Sequence, residues 1–333
     1  MVTAYDDSGR ISTVTGTGNK TYASDMAYAA HGASVRMRTR NGLWQTAEYN
    51  SRLQPHVLRL VSWDGGLDKL GLTYEYGTND NNGNVRSQQI ASPVGTWLQE
   101  YEYDGLNRLR YVDEGARVQT YGYDRYGNRW VESGPVIPNS QLTPRSQDAF
   151  NASNNRLVAS GYDYAGNQTS DALLRNFGYD AENRQTSYNN GQASYQYDGD
   201  GHRVHKLEGG VDTWFVYDAL GRLAAEYSTQ MLESAGTTYI MQDHLGSTRV
   251  TTNETGGVIA RYDYLPFGEE MPSAAPGDPR YGVPGYGAPD DTHQRFSGKE
   301  RDAESGLDYF GARYFSGAQG RFTSLDFHGQ PFA

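Results

Sequence analysis

The fold is decided by one stretch, Tyr195-Gln196-Tyr197-Asp198-Gly199-Asp200-Gly201-His202-Arg203. Tyrosines alternate with polar residues in its first half, which is the two-residue period of a strand that carries its rings on one face. The aspartate and the glycines that follow favour a turn, because aspartate accepts backbone hydrogen bonds and glycine tolerates a positive φ. The arginine then begins a second strand. The stretch therefore predicts a β-hairpin.

The Tyr-Asp pair recurs along the chain, and each copy is followed by glycine or asparagine. The clearest copies are Tyr103-Asp104, Tyr123-Asp124, Tyr162-Asp163, Tyr179-Asp180, Tyr197-Asp198 and Tyr217-Asp218. Tyr5-Asp6 is an earlier copy, and Tyr49-Asn50 is a degenerate one. A spacing of about 20 residues fits two short strands and two turns. We predict an all-β fold in which these pairs anchor repeated hairpins of a long, coiling antiparallel sheet, with open edges at its ends.

Composition excludes several classes of protein. The 333 residues include no cysteine, so disulfides and cysteine-based metal sites are impossible. The net charge of −11 argues against nucleic acid or anionic lipid as the main partner. No run of about 18 apolar residues predicts a membrane span, and the first residues show no signal peptide. With 36% hydrophobic residues and 27 tyrosines, tyrosine is expected to supply much of the packing.

The repeats and the segments that interrupt them predict four regions. These are a degenerate N-terminal repeat region at 1–40, repeated hairpins at 41–240, a distinct closing block at 241–326 and a tail at 327–333. Prolines and polar residues predict an inserted loop at 131–160, and a proline- and glycine-rich stretch predicts another at 270–293. Neither loop is expected to be a domain linker, because repeat-like sequence resumes after each.

Several stretches resemble the Rhs and YD-repeat proteins, a family that includes the C component of insecticidal Tc toxins and the shell of teneurins. Four stretches are similar, in order, to motifs of the Rhs-associated core: Gln242-Asp243-His244-Leu245-Gly246-Ser247-Thr248-Arg249-Val250, Tyr262-Asp263-Tyr264-Leu265-Pro266-Phe267-Gly268-Glu269, the pair of segments 296–302 and 306–314, and Gly320-Arg321-Phe322-Thr323-Ser324-Leu325-Asp326. The resemblance covers residues 40–326. Its core-motif residues are Asp243, His244, Gly246, Arg249, Pro266, Phe267, Gly268, Gly298, Lys299 and Arg313.

The resemblance implies a hollow β shell that is incomplete in this chain, closed at one end by the core. It implies further repeats upstream and a variable effector segment downstream as partners. It also implies a self-cleavage site, for which Asp326 and Arg321 are the candidate catalytic residues, with Asp302 or Asp308 as a second carboxylate. This chain ends at Ala333, before a cleavage junction, and has Ser316 where cleaving members often have aspartate. We therefore expect no self-cleavage.

Other apparent sites are better explained as structure. Asp243, His244 and Ser247 suggest a hydrolase trio, but no Gly-x-Ser-x-Gly elbow surrounds Ser247, so a hydrogen-bonded turn is favoured. His202 and His205 diverge on a strand, which disfavours a shared metal. The segment 298–300 lacks a phosphate-loop pattern. Tyrosine-rich faces could stack on sugars, although cross-strand packing is the favoured interpretation. No cofactor or metal is expected.

Three hypotheses for the function follow. The first is a non-enzymatic container, secreted or at the cell surface, that carries a downstream effector. The second is a structural or adhesive protein that self-assembles through its open sheet edges. The third is a self-processing core that releases a C-terminal segment through Asp326. A vacant concave face in a monomer favours the first, and a concentration-dependent polymer favours the second.

Overall fold

The computed structural model describes residues 1–62, 69–115, 117–135, 141–230 and 236–326. The fold is all-β, as the Tyr-Asp repeats predict, and the described residues contain 3-10 turns but no α-helix. The 3-10 turns are Thr17–Asn19, Gln147–Ala149, Asn189–Gly191 and Phe296–Gly298. No described segment forms a helix of the length and apolarity that a membrane crossing requires. The predicted tail at 327–333 and residues 136–140 of the predicted loop lie outside the described residues.

The first twelve strands form one antiparallel sheet in which each strand lies beside its neighbour in sequence. They are β1 Val2–Tyr5, β2 Ile11–Thr15, β3 Thr21–Tyr28, β4 Ser34–Thr39, β5 Trp44–Tyr49, β6 Pro55–Val61, β7 Leu70–Glu75, β8 Ser87–Ser92, β9 Gly95–Tyr103, β10 Leu109–Glu114, β11 Arg117–Tyr123 and β12 Arg129–Ser133. The region 1–40 therefore forms hairpins like those of the clearer repeats. A sequence-ordered meander is the arrangement that tandem hairpins produce, because each short turn pairs successive strands.

Four smaller antiparallel sheets contain the remaining strands. The first pairs β13 Gly161–Tyr162 with β14 Gln168–Ser170, and the second contains β15 Phe177–Tyr179, β16 Gln185–Tyr188, β17 Ala193–Tyr197, β18 Arg203–Glu208, β19 Val211–Tyr217 and β20 Leu223–Ser228. The third contains β21 Tyr239–Gln242, β22 Thr248–Thr252 and β23 Val258–Arg261, and the fourth contains β24 Glu300–Asp302, β25 Leu307–Tyr309, β26 Tyr314–Ser316 and β27 Arg321–Phe322. The predicted long antiparallel sheet is thus the twelve-stranded one, and the later repeats form further, smaller sheets.

The chain separates into two compact units. Unit 1 comprises Met1–Thr120, Gly236–Tyr264 and Glu270–Thr292, and unit 2 comprises the other described residues. Each unit therefore combines repeat strands with segments of the closing block. The apolar core of unit 1 is centred on Leu72, Tyr74 and Ile90, which are fully buried. The core of unit 2 is mostly aromatic and includes Tyr195 and Tyr314, as the tyrosine-rich composition predicts.

One turn geometry ends the Tyr-Asp repeats. In the turn 180–184, Oδ1 of Asp180 accepts hydrogen bonds from the backbone N–H groups of Glu182 (2.9 Å) and Arg184 (3.0 Å). Oδ2 accepts from Nε of Arg184 at 2.8 Å, and Asn183 has a φ of 62°. The same bonds recur at Asp6, Asp104 and Asp218. Aspartate suits the first position of these turns because its two oxygens satisfy both the backbone and the arginine.

The repeat tyrosines connect consecutive hairpins through their phenol groups. The hydroxyl of Tyr197 donates to the carbonyl oxygen of Gln185 (2.6 Å), and that of Tyr217 donates to the carbonyl oxygen of Arg203 (3.0 Å). Tyr103 makes the equivalent bond to Val85 at 2.8 Å. Each of these hydroxyl groups therefore bonds to the backbone at the start of the preceding strand. This bond explains why the residue before the turn is tyrosine and not phenylalanine.

Candidate functional site: two buried charged networks

The predicted self-cleavage residues do not form a shared site. Asp326 is 63% exposed, and its Oδ2 lies 3.2 Å from Nη2 of Arg313. Nη2 of Arg321 donates to the carbonyl oxygen of Asn155 at 3.3 Å, and its guanidinium lies over the ring of Phe150. No hydrogen bond or ion pair joins Asp326 to Arg321 within the described chain.

The two candidate second carboxylates are buried and paired with cations. Both Asp302 and Asp308 are fully buried. Arg301 holds both oxygens of Asp308 through Nε (2.9 Å) and Nη2 (2.8 Å). Ser316 is also buried, and its hydroxyl oxygen accepts the backbone N–H of Gln319 at 3.3 Å. Each carboxylate thus pairs with at least one cation, Asp308 with Arg301 and Asp302 with Arg203, which differs from a dyad of carboxylates that share a proton.

Arg203 of β18 is the centre of a buried network in unit 2. Its side chain is fully buried, and Nη1 donates to Oδ2 of Asp302 and to the hydroxyl of Tyr314, both at 2.7 Å. Nη2 lies 2.6 Å from Oε2 of Glu300. The guanidinium also lies 4.8 Å from the ring centroid of Phe215. Burial opposes the charge of Arg203, but Asp302 and its other anionic neighbours raise the pKa of the arginine well above its usual value.

Lys206 of the same strand pairs with three carboxylates at once. Its Nζ lies 3.2 Å from Oδ1 of Asp302 and 2.9 Å from a carboxylate oxygen of both Glu208 and Glu304. Four carboxylates therefore pair directly with two cations, Arg203 and Lys206. Burial and repulsion from Asp302 raise the pKa of Glu304 to about 7, whereas Arg203 and Lys206 outweigh burial and lower the pKa of Asp302. This network, which we call the acid-rich network, has more carboxylates than cations.

Asp263 is the centre of a second buried network, which lies in unit 1. Its Oδ1 accepts from Nη2 of Arg249 at 2.5 Å, and its Oδ2 accepts from Nε of Arg280 (2.6 Å) and the hydroxyl of Tyr286 (2.7 Å). Arg280 also donates two hydrogen bonds to Glu114 of β10, from Nη1 to Oε1 (2.7 Å) and from Nη2 to Oε2 (3.0 Å). Against the effect of burial, Arg249 and Arg280 lower the pKa of Asp263.

The central carboxylate of this second network has two direct cation partners. Asp243 lies 3.5 Å from Arg249, so Arg249 and Arg280 together pair with three carboxylates, on Asp243, Asp263 and Glu114, and both arginines pair with Asp263. We call this the balanced network, because Asp263 has a guanidinium group at each of its two oxygens. These two arginines are fixed by planar, multidentate bonds, which suit buried pairs better than a lysine ammonium does.

The segment 243–247 is a turn of the repeat type. Oδ1 of Asp243 accepts the backbone N–H groups of Leu245 and Ser247, both at 2.9 Å, and Gly246 has a φ of 82°. Burial lowers the pKa of His244, whose ring packs against Tyr74 with 4.3 Å between centroids. The turn that was favoured over a hydrolase trio is thus present, and its Asp-x-x-Gly spacing is shared with Tyr-Asp repeats.

The other core-motif residues pack against aromatic rings or lie in turns. Phe267 contacts the ring of Tyr121 and the guanidinium of Arg129. Gly268 accepts from Arg301 through its carbonyl oxygen, and a Cβ there would lie 2.6 Å from the ring of Phe296. Two cations lie over rings, Lys299 over Phe310 and Arg313 over Phe322. Pro266 lies in the turn 265–269, and Gly298 has a φ of 66°.

His202 and His205, which lie three residues apart in sequence, have different hydrogen-bond partners. His202 ends a repeat turn, where its backbone N–H donates to Oδ1 of Asp198 at 2.9 Å, and Nε2 of His205 lies 2.8 Å from Oδ1 of Asp212. Asp198, Asp200 and His202 have ligand atoms within 4.8 Å of one another. Asp198 makes the same backbone bonds there as the other repeat aspartates, so this group is explained by the turn.

Comparison with known proteins agrees with the predicted resemblance. No family model matches the chain. Two curated relatives are the tRNA nuclease WapA of Bacillus subtilis (27% identical over 252 residues) and the tRNA3(Ser)-specific nuclease WapA of Bacillus spizizenii (27% over 251 residues). Each match covers 67% of this chain and 10% of the relative. The chain thus aligns with about a tenth of the length of these proteins.

A solved structure of the TcdB2–TccC3–Cdc42 complex is similar over 97% of this chain and 19% of its own, with a TM-score of 0.70 and 20% identity. The chain has the fold of this toxin structure. This chain matches about a fifth of the length of the solved chain, and the shared fold agrees with the all-β fold that the sequence predicts.

Sequence reasoning missed most members of the two networks. Arg203, Lys206, Glu114 and Arg280 have no motif that marks them as buried. The repeat register gave one available signal, because Arg203 lies five positions after Asp198 as Arg129 does after Asp124, and both arginines are buried. Chemically, both networks can fix segments of the closing block onto repeat strands of the same unit.

Proposed function

We propose that the chain is a segment of the β shell of an Rhs-type toxin or secreted protein, and that it carries or encloses a downstream effector. The main support is that 97% of the chain matches the fold of a much longer chain. In addition, the strands within each sheet follow one another in sequence order. A meander of this kind extends by adding hairpins at its edges, which is how a longer shell can be built from repeats.

The proposed role is non-enzymatic. Asp326 is exposed and paired with Arg313, and the two buried aspartates near it in sequence, Asp302 and Asp308, are paired with Arg203 and Arg301. A protein-cleaving aspartate pair needs two carboxylates close enough to share a proton. The motif residues instead make packing and ion-pair contacts. Their proposed task is to close the structure and hold it shut.

The proposed partners are upstream repeats and a downstream effector, and the proposed location is outside the cell or at its surface. The name of the relatives as tRNA nucleases belongs to those proteins, of which this chain matches about a tenth. The acidic balance of the chain supports a role other than nucleic-acid binding for this segment.

The test is made on the protein isolated from its native source. Intact mass and terminal peptides give the full polypeptide, and limited proteolysis then compares the folded protein with the protein in urea. A longer polypeptide whose C-terminal segment resists protease only while the β structure is folded supports the proposal. A native polypeptide with these termini, or a C-terminal segment cut equally in both states, overturns it.

The same native polypeptide tests the non-enzymatic assignment. Incubation of wild type and of Asp326→Asn, with intact-mass readout, is expected to leave both uncut. Cleavage of wild type that is lost in Asp326→Asn would instead establish the self-processing alternative. Sedimentation at several protein concentrations tests the self-assembly alternative, which predicts a concentration-dependent polymer.

A further inference from the structure

Glu304 connects the closing block to the repeat strands of unit 2. It lies in the turn between β24 and β25, and its side chain is 1% exposed. Its Oε1 accepts the hydroxyl of Tyr195 from β17 at 2.6 Å, and its Oε2 lies 2.9 Å from Nζ of Lys206 in β18. One carboxylate therefore fastens the 300–309 hairpin to two repeat strands.

The charges around Glu304 do not cancel. Lys206 is its cation, but the same Nζ is shared with Asp302 and Glu208. Arg203, the other cation, is engaged by Asp302 and Glu300. A buried carboxylate without its own counter-ion is costly unless it takes up a proton.

We propose that the seating of the 300–309 hairpin on the repeat strands of unit 2 is proton-controlled, with Glu304 as the group that binds the proton. With Glu304 protonated, the hairpin is held tightly. With Glu304 charged, repulsion from Asp302 and Glu208 loosens it. Nothing in the fold or in the proposed function requires this property.

The direction of the pH effect follows from linkage. The pKa of Glu304 is about 7 in the seated hairpin, raised first by burial and then by Asp302, and it returns to the ordinary 4.5 when the hairpin is released. The seated state therefore holds an extra proton between these two values. Seating is strongest below about pH 4.5 and weakens by up to about tenfold per pH unit as pH rises towards 7.

Other groups titrate close by and must be separated from Glu304. Burial also raises the pKa of Glu300, which faces Arg203, Asp302 and Glu226. A hydrogen bond with Glu226 of β20 raises the pKa of His293. A histidine with a raised pKa also adds stability that is lost as pH rises, so its effect has the same sign as that of Glu304. A variant at Glu304 itself is therefore needed.

The test is amide hydrogen exchange of the full chain from pH 5 to 8, corrected for intrinsic exchange rates, with protection read at 300–309. In wild type the opening equilibrium is expected to rise with pH by up to about tenfold per unit relative to Glu304→Gln, which mimics the protonated form. Glu182→Gln, at a repeat turn in the same unit, is the matched control and should follow wild type. Equal pH profiles for wild type and Glu304→Gln would overturn the proposal.

Glu208→Gln provides a second test if Glu304→Gln fails to fold. Glu208 is 33% exposed and competes for Lys206, so its neutralisation leaves the ammonium to Glu304 and Asp302. The midpoint of the pH-dependent loss of protection is then expected to move to lower pH. A midpoint that stays in place or moves to higher pH would contradict the role assigned to Glu304.

Discussion

The balanced and the acid-rich networks are built from the same residue types but in different proportions. In unit 1, two arginines pair directly with three carboxylates, both of them with Asp263, and Asp263 keeps a lowered pKa. In unit 2, two cations serve four carboxylates, and the pKa of Glu304 rises to about 7. The difference shows that burial alone does not decide whether a buried carboxylate stays charged near neutral pH. The number of counter-ions per carboxylate decides it.

Both networks join the closing block to repeat strands within their own unit. Arg280 connects the proline- and glycine-rich loop to Glu114 of β10, and Asp302 connects β24 to Arg203 of β18. Residues of the closing block thus make buried ion pairs with repeat strands. The balanced network keeps such a contact over a wide pH range, whereas the contact made by the acid-rich network depends on whether a carboxylate is protonated.

Substitution of Arg203 is expected to have the largest effect. Arg203→Met fills the volume but leaves Asp302 and Glu300 buried without their guanidinium, which should cost about 3–5 kcal/mol of unfolding free energy. Urea unfolding, with exchange protection at 300–316 as the local readout, measures it. The control is Arg110→Met, since Arg110 is 58% exposed and its pair with Glu102 is worth less than about 1 kcal/mol. Similar losses of unfolding free energy for the two variants would show that the network does not hold the closing block to the repeat strands.

The same substitution in the two networks should have different outcomes at pH 8. Glu114→Gln removes an anion that the balanced network needs, and it should lower the unfolding free energy by about 2 kcal/mol, because Arg280 loses a charge-assisted pair. Glu304→Gln removes a surplus charge and should leave stability unchanged or increased. Parallel urea unfolding of the two variants measures the contrast. A larger loss for Glu304→Gln would invert the assignment of the balanced and acid-rich networks.

A repeat turn should show the smallest effect and sets the scale for both networks. Asp180→Ala removes two bonds to backbone N–H groups and one to Arg184, at a cost of about 1–2 kcal/mol. Glu182→Ala, in the same turn, should change stability by less than about 0.5 kcal/mol. Thermal unfolding of both variants measures the difference. A loss at Asp180 as large as that for Arg203→Met would mean that turns, and not the networks, dominate.

The repeats could be predicted from sequence because their information is local. Asp180 bonds to residues two and four positions away, so the aspartate, the left-handed position and the arginine are visible in a short stretch. The turn at Asp243 has the same spacing and the same backbone bonds. Pairing in sequence order follows from short turns. The division into five sheets was not predicted, because it depends on where interrupted hairpins find their next partner.

The candidate site was largely beyond sequence reasoning. Asp326 and Arg321 were candidates for a self-cleavage site, and their partners in the structure are Arg313 and Asn155. Arg203 and Asp302 are 99 positions apart, and Arg280 and Glu114 are 166 apart. Contacts at such separations are set by the stacking of whole sheets and loops, for which a single sequence carries no periodic signal.

The sequence by itself determined the all-β class, the hairpin repeat and the identity of each turn, because neighbouring residues satisfy one another's hydrogen bonds. Only the tertiary structure decided which charged side chains are buried and how many counter-ions each one has. That distinction has a physical reason. Hydrogen bonds within a turn depend on chain geometry alone, whereas the pKa of Glu304 depends on burial and on charges brought to it from distant strands.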